Sequence, residues 1–410
     1  MTDRNFDIIV WGATGFTGRL VAEYLLTRYG VNNDLRWAMA GRNQAKLELV
    51  RNSFNHPDAI NIPFLLADSH DLGSLQKLAQ QTKVMCTTVG PYALYGSELV
   101  QACVENGTHY CDLTGEVRWM RSMIDQHQKA AEQSGARIVH TCGFDSIPSD
   151  MGVYFMQKMM HERHQTVAFE VKARVKTVKG GFSGGTIASM MNMIDEIKRD
   201  PSLRKIMGNP YALNPEGERR GPDRNIPMKP RFDDDFQAWT APFIMEQINS
   251  RVVRRTNALL GYPYGRDFRY DEAMLMGKGA AGYARSVSLG AGMGGVMLAG
   301  AIKPLRSLLN KTLPEAGEGP SEEQREKGFF KILFLAKHPT DPNKHVRGSV
   351  TGDRDPGYGS TSKMLAESAI CLAKDDLRVG GGFWTPASAM GDHLLRRLNE
   401  NAGVKFELKN

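Results

Sequence analysis

Gly12, Gly15 and Gly18 recur every three residues in G-A-T-G-F-T-G, directly after the apolar run Phe6–Trp11. A strand, a glycine-rich turn and a helix together make a cradle for the pyrophosphate of a dinucleotide. The first glycine permits the tight turn, the second lets the backbone approach the phosphates, and the third lets helix and strand pack closely. Ala13, Thr14, Phe16 and Thr17 complete this expected cradle. The spacing is G-x-x-G-x-x-G, not the commoner G-x-G-x-x-G, and three glycines alone also fit a purely structural turn. Leu35–Ala40 reads as a second strand, with Gly41, Arg42 and Asn43 at its tip and no acidic residue through Gln44. An acidic residue there would accept from the ribose 2′-hydroxyl of NAD, whereas an arginine suits the 2′-phosphate of NADP. Arg42, with Asn43 beside it, points to NADP(H); a solvated surface arginine is the alternative. Asp68 follows a third strand, Ile62–Ala67, and is placed to meet the adenine edge. Val89, Gly90 and Pro91 end a fourth, Val84–Val89, on the side where ligands bind.

Proton chemistry has fewer candidates. Tyr92 and Tyr95 could supply a phenolic proton near the nicotinamide, or pack as loop aromatics. Ile138–Thr141 reads as another strand, opening into Cys142-Gly143-Phe144-Asp145-Ser146-Ile147-Pro148-Ser149-Asp150. Asp145 and Ser146 therefore stand at the ligand side of the sheet, and Tyr92, Asp145 and Ser146 are the expected catalytic residues. Ser149 or Asp150 equally suits a cap for a helix starting at Met151. Cys142 lacks a recognisable His partner and does not read as a nucleophile. Ser183–Thr186 could hold an anion at a helix start or make a tight turn.

These residues need a large scaffold, and the chain has one. Its 410 residues exceed what one core usually organises, so two domains are expected. A hydrophobic content of 41% and a charged content of 24% are ordinary for a globular protein. The net charge of +7 suits an anionic partner such as a phosphorylated cofactor, an acyl carrier or a membrane surface. Nucleic acid ranks last, because the basic residues are scattered and no nucleic-acid motif accompanies them. Five cysteines without a C-x-x-C pair argue against a disulfide framework or a metal site, and for a reducing, cytoplasmic setting. The polar start runs at once into the first strand, leaving no room for a signal peptide.

The V-G-P-Y segment at Val89–Tyr92, Y-C-D-L-T-G-E at Tyr110–Glu116 and G-F-D-S-I-P-S-D at Gly143–Asp150 add to the glycine turn. With G-G-F-S-G-G-T at 180–186, D-P-G-Y-G at 355–359 and G-F-W-T-P-A at 382–387, the chain resembles the saccharopine dehydrogenase-like oxidoreductases nearly end to end. It looks closest to the branch of the mycobacterial trans-acting enoyl reductases and the animal saccharopine dehydrogenase-like oxidoreductase. The resemblance implies an α/β fold, with a Rossmann-like NADP-binding domain over 1–150. It further implies an α+β substrate or dimerisation domain on an antiparallel sheet over 151–354, and C-terminal helices over 355–410 returning to the first domain. True saccharopine reductases carry a G-x-D-P-G-x-D-H stretch where this chain has G-F-D-S-I-P-S-D. The missing His and displaced Pro argue against lysine-pathway chemistry.

The alternation Val167–Val175 predicts a strand, and further strands are expected near Arg251–Arg254 and Ile332–Leu335. Helices are expected over 187–197, 360–373 and 387–399, an irregular excursion over 201–242, and a linker over 313–327. Ser286–Ile302 carries no charge, and Lys303, Arg306 and Lys311 follow. This run is short and glycine-rich for a spanning helix. A segment over 286–310 dipping into one leaflet and a buried interdomain or dimer segment are the two readings. The residues themselves point to the dinucleotide half of the activity, and the resemblance implies the rest: an NADPH-dependent reduction of a lipid-like or thioester-linked double bond in lipid or glycolipid biosynthesis, by a homodimer touching a membrane at its periphery. A membrane-associated NADP(H)-binding protein without turnover and a saccharopine dehydrogenase are the alternatives.

Overall fold

Short apolar strands alternating with helices build a parallel sheet, because each right-handed crossover returns a helix to the sheet face. The computed structural model describes residues 4–31, 33–180, 203–225, 229–301 and 319–409. Its first sheet holds β1 (Phe6–Trp11), β2 (Trp37–Gly41), β3 (Phe64–Leu66), β4 (Thr82–Thr87), β5 (His109–Cys111), β6 (Arg137–Val139) and β13 (Gly382–Trp384). Their order is β13-β6-β5-β4-β1-β2-β3, and every neighbouring pair runs parallel. Ile8, Ile9, Val10 and all of Trp37–Ala40 are buried, as expected of strands covered on both faces. Strand β1 lies between β2 and β4, so the connections reverse direction there. That switch point opens a crevice beyond the carboxyl ends of the strands.

Residues 1–147 with 357–403 form one compact unit, and residues 148–356 with 404–410 a second. The breaks thus fall at 147 and 356, beside the expected 150 and 354, and the last strand joins the second unit. Within the first unit, helix Thr361–Lys374 packs against β1, β4 and helix Phe16–Tyr29. Its buried Glu367 accepts the hydroxyls of Tyr24 at 2.7 Å and Tyr29 at 2.6 Å.

The second unit is built on β7 (Glu170–Lys179), β8 (Arg231–Asp233), β9 (Ala238–Ala241), β10 (Arg269–Gly277), β11 (Phe329–Lys337), β12 (Val346–Gly352) and β14 (Val404–Lys409). The order is β14-β12-β11-β7-β10-β9-β8, antiparallel except between β7 and β10. The strand expected at Arg251–Arg254 is instead the middle of helix Glu246–Leu259. Its arginines are buried because they serve the irregular excursion: Arg251 Nε donates to Asn209 O at 3.2 Å and Arg254 Nη1 to Pro210 O at 3.1 Å, while Arg255 reaches Leu213 O. Backbone carbonyls left bare by an irregular segment thereby gain donors.

Helix Gly279–Ala301 contains most of the uncharged run and packs on β9 and β10. Among the described residues no helix is long and apolar enough to cross a membrane. The expected helix at 187–197, the turn at 183–186 and residues 302–318 lie outside the described residues. All five cysteines are buried, and none is paired in a disulfide among the described residues.

Candidate functional site

The glycine turn has the shape of a phosphate cradle. Gly12 adopts φ +87°, and a Cβ there would sit 2.5 Å from Val89 Cγ2. A Cβ on Gly18 would stand 2.2 Å from Gly12 O, so the helix approaches the turn as closely as backbone allows. Gly15 N donates to Gly12 O at 2.9 Å, while a Cβ on Gly15 would meet only that oxygen, at 3.3 Å. Its other side is open. Among the described residues no side chain caps the start of helix Phe16–Tyr29, and its first turn holds no acidic residue. An uncapped helix start with its positive dipole end fits a pyrophosphate.

The remaining cofactor candidates ring the same sheet edge. Thr14 faces the end of β2, its Cγ2 3.6 Å from where Gly41 would carry a Cβ. Arg42 is exposed, and its guanidinium makes no hydrogen bond or ion pair among the described residues. Asn43 caps helix Gln44–Asn52, its Oδ1 accepting from Lys46 N at 3.0 Å. Asp68 Oδ1 accepts from His70 N at 2.9 Å, which closes a turn after β3. Val89 N donates to Thr87 Oγ1 at 3.3 Å, and a cis Gly90–Pro91 bond leads into the short helix Tyr92–Tyr95.

Beyond β4, β5 and β6 three loops are stitched into one frame. Tyr92 is buried; its hydroxyl donates to Thr87 O at 3.3 Å and accepts from Leu113 N at 3.1 Å. Burial, and then the charge of Asp112, push this phenol well above its ordinary pKa. The expected proton donor is thus held inside the frame, its single proton engaged. Glu116 accepts from the N–H groups of Tyr92 and Ala93, both at 2.9 Å. Asp112 accepts from Tyr110 Oη at 2.9 Å, Thr114 N at 3.0 Å and Thr141 N at 3.1 Å, and lies 2.7 Å from His140 Nδ1. Thr141 is held at φ +63°, a strained region for a β-branched residue. His140 Nε2 is buried with no hydrogen-bond partner among the described residues, between the rings of Trp119, Phe383 and Tyr110.

Asp145 lies in the turn after this frame and is partly exposed. Its carboxyl makes no hydrogen bond or ion pair among the described residues, and burial pushes it up to about 7. A carboxyl of that kind titrates near neutral pH. Ser146 is fully buried, its amide closing the turn on Gly143 O at 3.2 Å. The helix expected from Met151 starts at Ile147. Ser149 and Asp150 therefore sit within it rather than capping it: Ser149 Oγ donates to Glu272 Oε1 at 3.0 Å, and Asp150 accepts from Thr256.

The family model described as the saccharopine dehydrogenase NADP binding domain matches residues 8–139. A protein of Mycobacterium tuberculosis named a putative trans-acting enoyl reductase is 41% identical over 418 residues, covering 99% of this chain and 98% of that protein. The chain belongs to the saccharopine dehydrogenase-like oxidoreductases. A trans-acting enoyl reductase of Mycobacterium bovis is 36% identical over 417 residues, covering 98% of this chain and 97% of its own. The apo saccharopine dehydrogenase (L-Glu forming) of Saccharomyces cerevisiae shares the fold, with a TM-score of 0.54, 10% identity and coverage of 98% and 99% of the two chains. NADP(H) is the cofactor of this oxidoreductase family member, and the cradle of Gly12, Gly15 and Gly18 fits it.

Asp112, Glu116 and His140 escaped the reading of residues. Their segment, Y-C-D-L-T-G-E, stood out only through the family resemblance. A carboxylate in a loop carries no local sign that its partners lie 20 or more residues away, on the next strand.

Proposed function

We propose that this saccharopine dehydrogenase-like protein is an NADPH-dependent reductase of a carbonyl-conjugated double bond in a lipid-like or thioester-linked substrate, with a place in lipid or glycolipid synthesis. The observation that carries the reading is Asp145, a carboxyl in the turn after β6, unpaired among the described residues and raised by burial to about 7. Bound NADPH supplies a hydride. A conjugated double bond then also needs a proton at its α-carbon or enolate oxygen, and Asp145 would be the group to donate it. Tyr92, Glu116 and Asp112 would hold the loops around it, and the buried Ser146 would shape the turn. The 41% identical relative named a putative trans-acting enoyl reductase supports the same reaction class.

Nicotinamide absorbance tests this with purified protein, NADPH and a series of 2-enoyl thioesters of increasing chain length. Oxidation of NADPH that strengthens with chain length is expected, and Asp145→Asn should lower it by about 10²-fold or more while leaving NADPH affinity intact. Steady turnover of saccharopine with NADP, and none of any enoyl thioester, would move the protein to lysine metabolism.

A peripheral membrane role has separate support. Tyr283 is 49% exposed, and Val287 and Val296 are 41% exposed on helix Gly279–Ala301, which carries one charge, Arg285. Exposed apolar side chains on a helix with a single charge would suit contact with a membrane surface or a second copy of the chain. Flotation with anionic vesicles tests the membrane, and sedimentation equilibrium tests a homodimer on the same helix. Flotation without turnover on any substrate would favour a cofactor-binding protein lacking catalysis.

A further inference from the structure

The D-P-G-Y-G segment at 355–359 has no role in the site described above, yet one of its residues touches the cofactor turn. The ring of Phe16, directly after Gly15, meets the ring of Tyr358 edge-on, with centroids 4.6 Å apart and planes at 71°. Arg19 Cζ lies 5.9 Å from the centroid of the same Phe16 ring. Phe16 is thereby shared between an aromatic edge and a guanidinium. Tyr358 is only 3% exposed and lies in the π-helical turn Pro356–Ser360. Its neighbour Thr361 accepts from Phe144 N at 3.0 Å, so this turn is anchored apart from the glycine loop.

Arg19 makes an ordinary helical bond through its backbone, N to Gly15 O at 2.9 Å. Its guanidinium makes no hydrogen bond or ion pair among the described residues. Helical side chains lean toward the N-terminus and cover the turn before their own Cα. That lean carries the Arg19 guanidinium back to the ring of Phe16, the residue that follows Gly15. A guanidinium there can fork to two phosphate oxygens, provided its stem is held in place.

We infer that Arg19 is a pyrophosphate ligand of NADP(H), and that Tyr358, acting through Phe16, is the positioning residue that aims it. The inference rests on cofactor binding and not on the substrate proposed above. Calorimetric titration of the full-length protein with NADPH, NADH and 2′-AMP tests it. Arg19→Gln should raise the Kd for NADPH and NADH by the same factor, about tenfold or more, as expected for a lost charge-assisted bond. The Kd for 2′-AMP, which has the 2′-phosphate but no pyrophosphate, should not change. Tyr358→Leu should weaken NADPH about fivefold in the wild-type background and hardly at all beside Arg19→Gln, because the two act on one contact. Tyr358→Phe, which keeps the ring, should bind like wild type. Ligand-free melting reports whether Tyr358→Leu is folded, and Phe16→Leu breaks the same stack if it is not. An NADPH Kd within twofold of wild type for Arg19→Gln, or an equal loss of 2′-AMP, overturns the ligand assignment. Additive losses in the double variant overturn the positioning role. Wild-type protein that bound no NADPH would instead overturn the cofactor itself.

Discussion

The carboxylate of Asp112 lies 2.7 Å from Nδ1 of His140, and both side chains are buried. The same carboxylate takes the Tyr110 hydroxyl and the amides of Thr114 and Thr141. Asp112→Ala would strand these donors in the interior, at about 1–3 kcal/mol for each one left unpaired. A fall of on the order of 10 °C in melting temperature is expected, with a smaller fall for Asp112→Asn. Thermal circular dichroism checks this, and melting of Asp112→Ala unchanged within about 2 °C would show that these hydrogen bonds do not hold the loops together.

Arg42 stands at the tip of β2, where NADP and NAD differ. Arg42→Ala is expected to weaken NADPH by about 1.5–3 kcal/mol and to leave NADH nearly unchanged. Titration with both cofactors gives the answer directly. Equal losses would make Arg42 a structural residue.

Gly15 and Gly18 should fail differently when given a Cβ. Gly15→Ala meets only Gly12 O, at 3.3 Å, so the apoprotein should melt within about 2 °C of wild type while NADPH affinity drops. Gly18→Ala drives its Cβ to 2.2 Å from Gly12 O, and it should lose stability and cofactor together. Melting with and without NADPH separates the two. Loss of stability in Gly15→Ala alone would contradict the open cradle.

Stability should fall as pH rises from about 5 to 8.5. Burial, and then the charge of Glu246, push the Glu272 carboxyl up to about 8, and burial pushes Asp145 up to about 7. A carboxyl whose folded pKa is raised favours the folded state most at low pH, below its unfolded pKa. That contribution is lost as pH climbs through the folded value. Glu272→Gln should flatten the profile over this range. Its oxygen can accept from Ser149 and Asn249 as Oε1 does, and its amide can donate to the Tyr270 hydroxyl that now bonds Oε2. Urea titrations across the range check this, and a wild-type profile as flat as that of the variant would refute it. Asp7 and Asp271 carry lowered pKa values, and their contribution disappears only under more acidic conditions.

The sequence by itself determined the dinucleotide half. Three glycines at fixed spacing, apolar strands of five or six residues and an arginine at a strand tip act through neighbours in the chain, so they can be read in order. The Ile332–Leu335 strand was legible for the same reason, as part of β11. The Arg251-Val252-Val253-Arg254 stretch was not. Its alternation reads as a strand, and it folds as a helix because Arg251, Arg254 and Arg255 meet carbonyls of Asn209, Pro210 and Leu213 that no local pattern announces. Only the tertiary structure turned Tyr92 from a free phenol into a link between Thr87 and Leu113, and left Asp145 without a bonding partner among the described residues. It alone set Tyr358 against Phe16. Hydrogen-bond satisfaction and close packing in a dry interior decide such pairings, and both depend on which distant segments the fold brings into reach.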